Sequence, residues 1–64
     1  MTANDVILVL DGEAWIEYLG NLYEYVGDQD GKHLFQNIND LLDHISVSDR
    51  ALRNSSDFYF TFKF

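Results

Sequence analysis

Ala14-Trp15-Ile16-Glu17-Tyr18-Leu19-Gly20-Asn21-Leu22-Tyr23-Glu24-Tyr25-Val26 is the stretch on which the fold turns. Its polar positions at 13, 17, 20, 21 and 24 have helical spacing. Read that way, Asp11 is the N-cap and Gly27 the stop, residues 12–26 are one helix, and the chain is β-α-α-β. Against the helix, Gly20 beside Asn21 in mid-helix costs about 1.5 kcal/mol relative to alanine. Trp15, Ile16, Tyr18, Tyr23, Tyr25 and Val26 are strand formers. The strand reading is preferred: 14–19 and 22–26 are joined by a two-residue Gly20-Asn21 turn. It puts Ile16, Tyr18, Tyr23 and Tyr25 on one face and sets Glu17 directly opposite Glu24, a like-charge pair that costs stability.

Upstream, the branched apolar run Val6-Ile7-Leu8-Val9-Leu10 predicts a buried strand, and Asp11-Gly12 a tight turn after it. Downstream, Gly27-Asp28-Gln29-Asp30-Gly31 predicts a turn and 32–35 a short return strand. Ile38, Leu41, Leu42 and Ile45 repeat at 0, 3, 4 and 7, which predicts a helix over 37–45 with Asn37 as N-cap and His44 in its last turn. Residues 46–56 are polar, a loop or one helical turn around Ala51 and Leu52. Phe58, Phe60, Phe62 and Phe64 alternate with Tyr59, Thr61 and Lys63, the mark of a half-buried strand. The expected class is α+β: a curved antiparallel sheet of four to five strands with one helix packed on one face.

At 64 residues the chain is read as a single domain, 1–64. Apolar residues make up 47% of it, enough to build a core. No cysteine is present, so disulfides and zinc–thiolate sites are excluded. The net charge of −7 argues against direct nucleic-acid binding and against docking on an anionic membrane. The N-terminus has an aspartate where a secretory signal carries positive charge, so a soluble cytoplasmic protein is expected.

Catalytic and metal motifs are missing. Asp28-x-Asp30-Gly31 matches only the middle of a calcium loop, since Val26 and Asn37 stand where acids are needed. His33 and His44 are the only imidazoles, and nothing marks a third ligand beside them. The serines lie in polar turns, without a nucleophile motif or a phosphate loop. Neither an enzyme nor a cofactor is expected.

The acids carry the remaining signal. Residues 1–49 hold ten acids against Lys32 alone, whereas residues 50–64 set Arg50, Arg53 and Lys63 against Asp57. A net charge of this size also serves solubility by itself. As a surface, Asp11, Glu13, Glu17, Glu24, Asp28, Asp30, Asp40 and Asp43 predict a carboxylate array fitting the Lys and Arg rows that grip nucleic-acid phosphates. The leading expectation is a DNA-mimicking inhibitor of a basic nucleic-acid-binding protein, of the anti-restriction or anti-CRISPR kind carried by phages and mobile elements. That analogy is one of size and charge. The alternative is a protein–protein interaction module or homodimer, acting by shape through an edge strand and an aromatic patch.

Overall fold

Thr2 and Asp5 open the first element. The Thr2 hydroxyl accepts from the Asp5 amide at 3.3 Å, and the Asp5 carboxylate accepts from the Thr2 amide at 3.0 Å. This reciprocal box satisfies amides that a helix start leaves bare, and α1 runs Ala3–Leu10. The structure, a computed structural model, describes residues 2–63. The strand expected over Val6–Leu10 is therefore a helix, with Val6 and Val9 buried three residues apart. Asp11-Gly12 is its C-terminus and no hairpin turn. Gly12 has φ +82, its amide donates to Val9, and the Glu13 amide donates to Leu8. These two bonds make a Schellman stop.

The decisive stretch is a hairpin, so the helical alternative over 12–26 does not form. Strand β1 is Ala14–Tyr18 and β2 is Asn21–Gln29. The turn residues are Leu19 and Gly20, one position earlier than expected, both with positive φ (51 and 82). The register moves with it. Glu17 faces Leu22, and Glu24 faces Gln36, so the expected Glu17–Glu24 pair is absent. Asp30-Gly31 makes the next turn, with φ of 52 and 77, into β3 at Lys32–Asn37.

The helix expected over 37–45 is strand β4, Asp40–Ser48. Its inward residues alternate as Asp43, Ile45 and Val47, while Leu41 and Leu42, which created the helical period, are 71% and 92% exposed. Asn37 caps no helix. Its Oδ1 accepts from the Asn39 amide at 2.8 Å and tightens the β3–β4 turn. Ser48 caps α2, Asp49–Asn54, through the Ala51 amide. Strand β5, Phe58–Phe62, is the last element before Lys63, and Phe64 lies outside the described residues.

The strands form one antiparallel sheet in the order β4-β3-β2-β1-β5. The fold is small α+β; of its two short helices, α1 takes the place of an expected strand and α2 is the helical turn offered for 46–56. Val6, Val9 and Leu52 from the helices meet Ala14, Ile16, Tyr23, Phe35 and Val47 on one sheet face. Each large apolar side chain so buried stabilises by about 1.5–3 kcal/mol. The other face carries Trp15, Glu17, Leu22, Glu24 and Tyr59 and has no helix over it. A bulge between Tyr25 and Gly27, with Gly27 at φ +144, bends β2 and curves the sheet. Among the described residues no helix is long and apolar enough to cross a membrane.

Candidate functional site: a groove along the β4 edge

The strand order leaves β4 and β5 as the two edges. Every neighbouring pair is antiparallel, so β4 and β5 run in the same direction. They are linked by α2, which bridges the helix-covered face through buried Leu52. The curvature then brings the second half of β4 opposite the start of β5. Between them lies a groove of about 480 Å3. Ile45 and Val47 of β4 form one wall, Tyr18 and Phe58 the other, and Ala51 of α2 lies along it. Tyr18 and Phe58 are stacked across the β1–β5 pair with centroids 4.9 Å apart. Lys32, Ser46 and Ser48 supply the polar side. Lys32 and Ser46 also line a second, smaller depression of about 370 Å3 with Leu34, Gln29 and Asp30.

A side-chain network fixes the end of β4 and the start of α2. His33 sits opposite Val47 in the ladder, and its side chain is 13% exposed. Its Nδ1 lies 2.7 Å from Asp28 Oδ1 and its Nε2 3.2 Å from Asp49 Oδ1. Asp28 Oδ1 also accepts from the Tyr25 hydroxyl at 2.6 Å, and Asp49 Oδ2 accepts from Arg53 Nε at 2.8 Å. Burial of His33 favours the neutral ring, but its two carboxylate partners outweigh this, and its pKa lies above 6.5. The Tyr25 hydroxyl, then His33, holds Asp28 below the usual carboxylate range; Arg53, then His33, does the same for Asp49.

No family model matches the chain, and no curated protein or solved structure is significantly similar to it. What the site does is read from its own geometry.

The eight acids singled out from the sequence occupy different parts of the fold. Asp11 caps the end of α1, and Glu13 lies in the connection to β1. Glu17 and Glu24 share the uncovered sheet face, where Lys63 Nζ reaches Glu24 at 2.8 Å and sits 5.7 Å from the Trp15 ring. Asp28 and Asp43 lie on the helix-covered side. Asp43 accepts from the Tyr23 hydroxyl at 2.7 Å and from Asn37 Nδ2 at 3.1 Å. These two donors, Tyr23 first, lower its pKa, and the same bond, then burial, pushes Tyr23 up to about 12. Asp30 stands in the β2–β3 turn, and Asp40 accepts from the Leu42 amide at the start of β4. Among the described residues no group of three His, Asp or Glu is placed to hold a metal ion. The groove residues Tyr18, Ile45, Val47 and Phe58, and the linking pair His33 and Asp49, were not singled out as site residues. The alternation of Asp43, Ile45 and Val47 was the available signal for β4.

Proposed function

We propose that this chain is a non-catalytic protein-binding module that captures an extended segment of a partner protein along the β4 edge. The observation that carries the reading is the apolar groove beside an edge strand, β4. A free edge offers backbone donors and acceptors, which give affinity, and the groove takes an alternate side chain, which gives selectivity. The direction of the edges supports the same reading. Because β4 and β5 are parallel to each other, one incoming strand antiparallel to β4 is antiparallel to β5 as well. The Tyr18–Phe58 stack offers a flat apolar wall to an aliphatic or aromatic anchor.

The test is selection of peptides from a random displayed library, followed by affinity measurement on variants. Ala51 is exposed and lines the groove, so Ala51→Gln fills it without touching the core. Selected peptides are expected to share an apolar anchor, to protect β4 amides from exchange, and to lose about tenfold or more in affinity to Ala51→Gln. Glu17→Gln with Glu24→Gln should leave that affinity within about twofold at moderate salt. The reverse pattern, with capture abolished by the glutamate changes and competed by DNA, would overturn the groove reading in favour of nucleic-acid mimicry.

A further inference from the structure

We propose that His33 is a pH-operated clasp that holds α2 against the β2–β3 hairpin when protonated and releases the start of that helix when neutral. The inference does not depend on what occupies the groove. It follows first from hydrogen counting. Both ring nitrogens of His33 face carboxylate oxygens, Nδ1 toward Asp28 at 2.7 Å and Nε2 toward Asp49 at 3.2 Å. Carboxylates only accept, so both contacts are hydrogen bonds only if both nitrogens carry protons, which is the imidazolium. A neutral ring satisfies one and sets a lone pair against the other.

The two contacts are not equivalent. The Asp28 contact is shorter and joins neighbours in the β2–β3 ladder, which 21–29 and 32–37 hold in place regardless. The Asp49 contact is longer and is the one that ties sheet to helix. On deprotonation the remaining proton stays on Nδ1, and the Asp49 bond is lost. Asp49 keeps Arg53, one turn along its own helix, so its carboxylate has another partner to turn to. The charged and titratable groups in contact with the imidazole are therefore Asp28 and, through it, Tyr25 from β2, and Asp49 with Arg53 from α2. From β4 the cross-strand neighbour is the uncharged Val47. Leu52 remains buried, so α2 loosens at its first turn without leaving the core. Ala51 lies in that segment, so the groove wall moves with it.

The sign is set by the direction of the shift. The His33 pKa is raised in the fold, so the clasp is complete below the ordinary imidazole value near 6.5 and is lost as pH rises through the folded value. The experiment is an NMR titration of the full chain carrying His44→Gln, which leaves one imidazole. Ring 15N shifts report protonation and tautomer, and amide protection factors report opening of α2. The expected result is a His33 midpoint above 6.5, with the proton left on Nδ1 above it. Protection of the Leu52 to Ser55 amides then falls about three- to tenfold across the transition, while β3 amides hold. Asp49→Asn should lower the midpoint and make α2 protection independent of pH. A midpoint at or below 6.5, or α2 protection unchanged across the titration, overturns the clasp. Both readings come from the unsubstituted Asp49 protein, so a folding defect in Asp49→Asn leaves the test intact.

Discussion

Leu19→Asn should stabilise the protein. Leu19 and Gly20 are the central residues of the two-residue turn between Tyr18 and Asn21, and both have positive φ. That is the requirement of a type I′ turn, for which Asn-Gly and Asp-Gly are the favoured pairs. The second hairpin obeys it, with Asp30-Gly31 at nearly the same angles. The first does not: leucine at φ 51 bears a left-handed penalty of about 1–2 kcal/mol, and it is 79% exposed, so little packing offsets it. Asparagine visits that region several times more readily, and recovering half the penalty is worth about 0.5–1 kcal/mol. A chain of this size has a total stability of about 3–10 kcal/mol at ~0.05–0.15 per residue, so the gain is large enough to read. It corresponds to a rise in Tm of about 2–8 °C. Urea unfolding followed by Trp15 fluorescence and by circular dichroism should show a higher midpoint at unchanged slope. Leu19→Ala is the control. It removes the exposed side chain and keeps the strain, so it should stay within about 0.5 kcal/mol of the parent. An asparagine variant no more stable than the alanine one would refute the turn-strain argument.

Two further outcomes follow from the core. Phe35 is fully buried on the central part of the sheet, edge-on to Tyr25 at 5.7 Å, and Phe35→Ala should cost about 3–5 kcal/mol. Against a total of about 3–10 kcal/mol that removes from about a third to all of the stability, and a cooperative thermal transition near the parent Tm would contradict the assignment. Tyr23, raised to about 12 by its bond to Asp43, contributes stability that is complete below the ordinary tyrosine value of 10.0 and is lost as pH rises from there to about 12. Ultraviolet titration should resolve a tyrosine ionising near 12 that is absent in Tyr23→Phe, while Tyr25, raised by its bond to Asp28, remains late in both proteins; indistinguishable curves would count against the Tyr23–Asp43 bond.

The hairpin at 14–26 was legible because strand propensity, a turn glycine and the cost of glycine in a helix all pointed one way. Two other segments were not, and for opposite reasons. At Val6–Leu10 a short apolar run has no period of its own, and what decides it is polar: the Thr2–Asp5 box before it and the glycine stop after it. At 40–48 the apolar period was helical, but it was produced by Leu41 and Leu42, which the fold leaves in solvent. Pairing with β3 overrode it, since β3 needs a partner on its second edge and Ile45 and Val47 supply inward side chains at period two. The errors compensate in the count of elements. They do not compensate in the site, because only the true β4 places an unpaired edge beside Phe58.

The acids act locally as well as through their sum. Eleven acids in 64 residues read as one surface property, but the fold gives many of them local tasks. Asp5 caps α1, Asp40 closes the start of β4, Asp43 holds Tyr23 and Asn37, and Asp28 and Asp49 flank His33. An acid that closes a helix start or accepts from a buried hydroxyl is positioned by that bond. The groove arises at a longer range. Ile45 and Val47 meet Tyr18 and Phe58 only because the chain builds four strands in order and then carries the fifth back to the opposite edge. No local spacing announces such a meeting. It becomes visible once strand order and direction are known, and the same two facts make β4 and β5 parallel strands at the two edges of the sheet.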